Sequence, residues 1–274
     1  MKSLFKFLGI IALAAVMTLS LTACDIDNEQ QIPAQNRYLL NVNFDEPPYL
    51  RYQEILAGPV GTTGIGGWVN AHGGWGTREF VVVEHSANPA RNAARVFATS
   101  SGHHINIGLD EPIGVGTGLY TFSFDAEISF QAPTGAGTSS YHIGFATYPI
   151  AQANALPFTG IRFFRDGRVT VNSSGTTGVS AGPRLTYELP AGTWHRIVAV
   201  IDTFLSEATW FIYSAEGTLL SGMPEEGITA PFPFYEPLSD LRIIAPGSGT
   251  IGTLHIANIR IFYGTTDMNP PAWW

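Results

Sequence analysis

Lysine is missing from this 274-residue chain beyond position 6, and cysteine occurs once, at position 24. Without lysine the body of the chain cannot run Schiff-base chemistry, P-loop phosphate binding or Ser–Lys hydrolysis, each of which needs that amine. One thiol leaves no partner for an internal disulfide. Charge is scarce as well, at 13% of residues. After residue 23 twelve arginines face 22 acidic side chains, a net of −10. So acidic a chain argues against nucleic acid as a partner, because neutralising phosphate supplies most of that affinity. Metal-ligand spacing is also lacking. His103 and His104 are adjacent, so on a strand they point to opposite faces and cannot chelate one ion; the other histidines are scattered, with no zinc pattern.

Helical periodicity is nearly absent after Cys24, and alternation with a period of two takes its place. The clearest stretch is 119–130. Tyr120, Phe122, Phe124, Ala126, Ile128 and Phe130 share one face, while Thr121, Ser123, Asp125, Glu127 and Ser129 share the other. Such a pattern predicts a long antiparallel strand with one apolar and one polar side. Similar runs predict strands at 38–44, 79–85, 94–99, 104–109, 141–148, 160–165, 168–172, 184–189, 193–202, 208–214, 238–245 and 252–263. Asp166-Gly167 is a two-residue hairpin signal, and Glu216-Gly217 plays a similar part. With 30 glycines and 18 prolines between short strands, the expected class is all-β, a two-sheet antiparallel β-sandwich. The segments are then 1–23, a tether at 24–36, one domain at 37–264 and a tail at 265–274.

Lys2 and Lys6 precede an uncharged apolar run from Phe7 to Leu21. That run is shorter than the roughly 20 residues a spanning helix needs, and it reads as a signal-peptide core. It ends in Leu21-Thr22-Ala23-Cys24, which resembles the lipobox of bacterial lipoprotein signals. The resemblance implies cleavage before Cys24 and a lipid anchor on its thiol, with acyl chains such as palmitate. The alternatives are an ordinary secretory signal beside a chance cysteine, or a buried thiol. Asp25-Ile26-Asp27-Asn28-Glu29-Gln30-Gln31 reads as a flexible acidic tether. The expected location is the cell envelope of a bacterium, at the outer membrane or cell surface. An Asp directly after the cysteine favours the inner membrane in some lineages, so both membranes stay open.

Three further stretches resemble concanavalin A-like domains of the laminin-G and jelly-roll lectin type. They are Ala191-Gly192-Thr193-Trp194-His195-Arg196-Ile197-Val198-Ala199-Val200-Ile201-Asp202, Leu254-His255-Ile256-Ala257-Asn258-Ile259-Arg260-Ile261-Phe262-Tyr263, and Asn43-Phe44-Asp45. The resemblance implies a jelly roll and carries no activity with it. Its terminal motif usually has Asp where this chain has Ala257. No cofactor is expected, and a structural calcium would have to rest on Asp45, Glu46 and a few carbonyls.

The candidate site residues come from two places. Trp68 and Trp75 lie in the glycine-rich stretch 64–76 with Asn70 and His72. Aromatic faces can stack on sugars while Asn and His bind hydroxyls, in the manner of apolar pockets fitted with a few polar groups; equally, one or both rings can fold back to cap the sandwich. Asp125 and Glu127, two positions apart on one strand, sit about 7 Å from each other, with His142 expected on a neighbouring strand beside them and Tyr148 at even spacing. A glycosidase could use a carboxyl pair at such a separation, but Asp125-Ala126-Glu127-Ile128 lacks the Glu-x-Asp-x-x-Glu of concanavalin A-like glucanases, and Tyr141-His142-Ile143 lacks the Gln-Ile-His of alginate lyases. Gly178-Val179-Ser180-Ala181-Gly182 fits the nucleophile-elbow pattern, which has meaning only on a strand-to-helix turn; here it is read as part of a loop. Trp194 and Trp210 read as core or sheet surface. Trp273 and Trp274 end the tail. The leading expectation is a monomeric, lipid-anchored, non-catalytic module that binds polysaccharide or another glycan. A polysaccharide-degrading hydrolase or lyase and a protein-binding envelope module are the alternatives.

Overall fold

The computed structural model describes residues 37–56, 58–72, 78–98, 103–129, 140–146, 159–164, 167–175, 178–184, 188–220, 228–231, 237–245 and 252–264. Among them are fifteen strands. The first eight are β1 (Tyr38–Val42), β2 (Val69–His72), β3 (Arg78–His85), β4 (Asn88–Ala98), β5 (His103–Ile113), β6 (Leu119–Ile128), β7 (Ser140–Ala146) and β8 (Thr159–Phe164). Then come β9 (Val169–Gly175), β10 (Gly178–Arg184), β11 (His195–Asp202), β12 (Glu207–Ser214), β13 (Ile228–Pro231), β14 (Leu238–Ala245) and β15 (Leu254–Tyr263). The only helical turn described is a single 3-10 turn, Ile65–Gly67.

The strands form two sheets. The first runs β13-β12-β11-β6-β15-β4-β3, with β1 added beside β15; the second runs β10-β9-β8-β7-β14-β5-β2. Alternation dictates which sides meet. Phe122 and Phe124 of β6 have no exposed surface, and they touch rings of the opposite layer. Phe122 lies 5.1 Å from Phe145 of β7 and Phe124 lies 6.3 Å from Phe163 of β8, both edge to face. Trp210 of β12 closes the same cluster 6.1 Å from Phe122. The expected all-β sandwich is therefore the observed one.

The placement of β7 and the state of residues 178–182 differ from expectation, and β2 and β13 are strands that the alternation did not mark. β7 was expected beside β6, but β6 pairs with β11 and β15, while β7 lies in the other sheet between β8 and β14. The chain changes layers between Ile128 and Ser140, so neighbours in sequence are not neighbours in space. The Gly178–Gly182 pattern is also strand and not loop: it lies in β10, antiparallel to β9, and no elbow is formed.

β15 has an unusual position. One side pairs with β6 throughout, while the other pairs with β4 at Leu254–Ile256 and then with β1 at Ile259–Phe262. The register shifts between Ala257 and Arg260, where Asn258 has a left-handed φ of 50°. This bulge marks the handover between partners.

Candidate functional site

The tryptophan stretch turns inward. Gly66 and Gly67 adopt positive φ in the 3-10 turn, and a Cβ on Gly66 would sit 2.1 Å from the Tyr49 hydroxyl. The turn aims Trp68 into the core. Its ring has no exposed surface, meets Phe80 edge-on at 4.9 Å, and donates from Nε1 to the Tyr49 hydroxyl at 3.1 Å. The expected sugar-stacking face on Trp68 is corrected: this ring caps the sandwich. Asn70 is likewise buried, donating to the Gly58 carbonyl at 3.0 Å. His72 ends β2, and its side chain, with Trp75, Tyr148, Cys24, Trp273 and Trp274, lies outside the described residues.

Asp125 and Glu127 lie on the outer face of the first sheet, and that face is not solvated around them. Asp125 has no exposed surface. Arg196, its register partner on β11, donates to both carboxylate oxygens at 2.6 Å. Asn258, turned by the bulge, adds a third bond at 2.6 Å. Glu127 accepts from the Ser86 hydroxyl and lies 3.8 Å from His255. Trp194 donates to the same Ser86 at 2.7 Å and stacks on His85 at 3.9 Å. Both carboxylates are spoken for, so the glycosidase reading of this pair has no free acid or base. Asp45, the calcium candidate, accepts from Arg91 and from the Asn92 amide; Glu46 accepts from Asn43 at 2.7 Å.

The outer face of the second sheet is different. The adjacent strands β5, β14, β7, β8 and β9 bring together His104 and Asn106, Asp240 and Arg242, Ser140 and His142, Arg162, and Thr170. Asn106, Asp240 and Arg242 are at most 2% exposed. Arg242 Nε donates to Asn106 Oδ1 at 3.0 Å, and Ser140 Oγ bonds His142 Nε2 at 2.8 Å. Three buried atoms make no hydrogen bond: Asn106 Nδ2, Arg162 Nε and Thr170 Oγ1. Beside them the backbone is bare, because Gly144 of β7 pairs with Gly160 of β8 and with Arg242 of β14. A Cβ on Gly160 would fall 2.1 Å from the Ile143 carbonyl oxygen and 2.6 Å from Gly144 Cα. Arg168 lies over the Phe164 ring at 4.8 Å from its centroid.

Electrostatics follow from the burial. Desolvation pushes His142 down to about 3, helped by Arg162 and His104 nearby, so its imidazole is neutral at pH 7. A base that weak is mismatched to proton abstraction near neutrality, which counts against a lyase built on His142. Burial lifts Asp240 to about 6, with Ser239 and Arg242 opposing the rise. Burial also lowers Arg162 and Arg242, though an arginine stays charged. The cluster offers two guanidinium groups, one weak carboxylate, and amide and hydroxyl groups.

No family model matches the sequence, and no curated protein matches it. Solved structures do resemble the fold. The globular domain of T. cruzi calreticulin superposes with a TM-score of 0.52 at 10% identity, covering 84% of this chain and 89% of that one. The catalytic domain of a glycoside hydrolase family 131 protein from Coprinopsis cinerea reaches 0.48 at 10% identity, over 86% and 98%. Carbohydrate binding module CBM66 from Bacillus subtilis reaches 0.43 at 10% identity, over 74% and 99%. The first of these likenesses supports one conclusion. The chain has a jelly-roll sandwich fold.

Sequence reasoning missed most of the second-sheet cluster. Its signal was present in Leu238–Ala245, where Asp240 and Arg242 alternate with Leu241 and Ile243. The strand order was not readable, because β14 inserts between β5 and β7 from more than ninety positions further along the chain.

Proposed function

We propose that this chain is an exported lipoprotein, anchored through Cys24, that binds polysaccharide on the outer face of its second sheet, with preference for acidic sugars. The observation that carries the reading is the polar set on one sheet face at Asn106, Thr170 and Arg242, which are buried, and Arg162, which is half-buried, with three buried atoms left without hydrogen bonds. Burying such groups unbonded costs roughly 1–3 kcal/mol each, a cost that natural folds tolerate at functional sites. Amide and hydroxyl groups suit sugar hydroxyls. Guanidinium groups suit carboxylates, since their planar fork can bond both oxygens. Gly144 and Gly160 add no side chains to the strip between these groups. Among the solved structures, one carbohydrate binding module and one lectin share the sandwich, which is compatible with the reading and adds no argument about the ligand.

The test is a glycan array spanning neutral and polyuronic polysaccharides, followed by calorimetry on the best binder. Binding should favour polyuronates, weaken as salt rises, and fall at least tenfold in Arg162→Ala. Silence across the array, or full binding by Arg162→Ala, would sink the proposal. The anchor is checked by mass spectrometry of the N-terminal peptide and by loss of membrane association in Cys24→Ala.

A further inference from the structure

One end of the sandwich collects most of the exposed large hydrophobic side chains among the described residues. Phe204 (68% exposed), Leu205, Val115, Leu119 and Tyr38 all lie there, five of eight. Their common location is fixed by bonds. The β11–β12 turn at 203–206 is laced to the 114–118 loop by Gly116 N to Thr203 O at 3.0 Å, Thr203 N to Gly118 O at 3.1 Å and Gly118 N to Thr203 Oγ1 at 2.7 Å. The position of Gly116 lies against the Phe204 ring, 3.8 Å from where its Cβ would be. The Tyr263 hydroxyl donates to Thr117 O at 2.9 Å, and Tyr263 N donates to Arg37 O at 3.0 Å. The chain thus enters the domain at the end where the apolar turn projects.

Nor is the turn a loose one. Thr203 has no exposed surface, and Asp202 Oδ1 accepts from the amides of Phe204 and Leu205 at 2.8 and 3.0 Å. Two neighbouring large apolar side chains are held outward on a fixed turn, away from the core that could cover them.

We infer that this end docks on the phospholipid bilayer that holds the lipid of Cys24, with Phe204 and Leu205 entering its interfacial layer and Val115 and Tyr38 alongside. The inference rests on the proposed anchor and adds an orientation to it. Thirteen peptide steps separate Cys24 from Arg37, at most about 45 Å of extended chain. A tether that short keeps the entry end near the membrane at an effective concentration on the order of millimolar, so a weak apolar contact becomes populated. Glu111 is paired with Arg37 at this end, and Asp202 and Glu207 leave it net acidic, which disfavours an anionic surface, so zwitterionic lipid is the matching partner.

The full-length protein, purified from membranes and reconstituted in phosphatidylcholine vesicles, carries the test. Cys24 is consumed by the thioether to lipid, so Phe204→Cys and Glu216→Cys each offer one site for an environment-sensitive fluorophore. Glu216 follows Ser214, at the opposite end of β12, roughly 26 Å away. The probe at 204 should shift to the blue and be quenched at least threefold more by spin-labelled lipid than the probe at 216. Equal quenching at the two sites overturns the docking. So does a blue shift at 204 that persists in detergent with sedimentation as a dimer, which would assign the surface to a second copy. Mass spectrometry reads Cys24 separately: an unmodified thiol overturns the anchor, whereas a lipidated protein with a water-exposed probe at 204 overturns the docking alone.

Discussion

On the outer face of the first sheet Asp125 takes two bonds from Arg196 and a third from Asn258. On the outer face of the second, Asn106, Arg162 and Thr170 each keep a buried polar atom without a hydrogen bond. The two faces belong to one fold and are built from the same alternating strands. They differ in where the unmet atoms lie: on the first face Arg95 Nε and His255 Nδ1 lack a hydrogen bond while the Asp125 carboxylate is fully engaged, and on the second the unmet atoms belong to the polar cluster itself. A carboxylate whose bonds are all made within the domain adds order and has little left to offer a ligand. A face that carries unmet donors at some cost in stability has a reason to keep them. That contrast moves the candidate site from Asp125 and Glu127, which look like an enzyme's carboxyl pair in the sequence, to a cluster that no sequence motif marks.

The comparison can be broken most decisively at Asp125. Asp125→Ala leaves Arg196 buried without its partner, and breaking such a pair costs about 3–5 kcal/mol. Urea denaturation should show that loss, while the folded fraction binds glycan as before. A loss below about 1 kcal/mol would put the pair with solvent-screened surface bridges and erase the distinction between the faces.

Acid titration sharpens the other side. Asp240 is raised from 3.8 to about 6, so folding takes up a proton in that window, and this group's contribution to stability declines as pH rises through it. His142 is lowered from 6.5 to about 3, so folding sheds a proton and stability is lost as pH falls through its window. The slopes oppose. Asp240→Asn should steepen the loss of stability between pH 7 and 4, and His142→Gln should flatten it, each by up to about 2–3 kcal/mol. Unchanged slopes in both variants would mean that neither group is desolvated.

The smallest effect is expected at Thr170. Thr170→Val removes a buried hydroxyl that makes no bond and keeps the branched shape, so thermal melting should be unchanged or raised by up to about 1 kcal/mol. A drop of that size or more would show that the hydroxyl is satisfied after all.

Much of the architecture was legible in the residues, and the parts that were not share a cause. The alternation at 119–130 gave β6, and its Phe122 and Phe124 side is the dry one. The turn signal at Asp166-Gly167 separates the antiparallel pair β8 and β9. The strands that went unread were β2, β10 and β13, and each lies at the margin of its sheet. A marginal strand pairs on one side only, so its sequence is not forced into clean alternation; Pro183 in β10 and Pro231 in β13 are tolerated there because an edge leaves amide positions outside the ladder. The site was less legible than the fold. Arg162 and Arg242 stand 80 positions apart, and only the insertion of β14 beside β7 makes them members of one face. Trp68 misled for a local reason: Gly66 beside Tyr49 turns the ring inward, and glycine-rich sequence alone does not say which way a turn will face.

The handover in β15 has a consequence for how the protein can be made. This final strand holds β6 on one flank and both β4 and β1 on the other, so residues 38–42 wait for partners more than two hundred positions later. Contacts that distant slow assembly. Until β15 arrives the first sheet has a gap at its centre, and its two flanking groups of strands cannot join. Shortening the chain before residue 254 would leave two unjoined groups of strands, with β1 stranded beside neither.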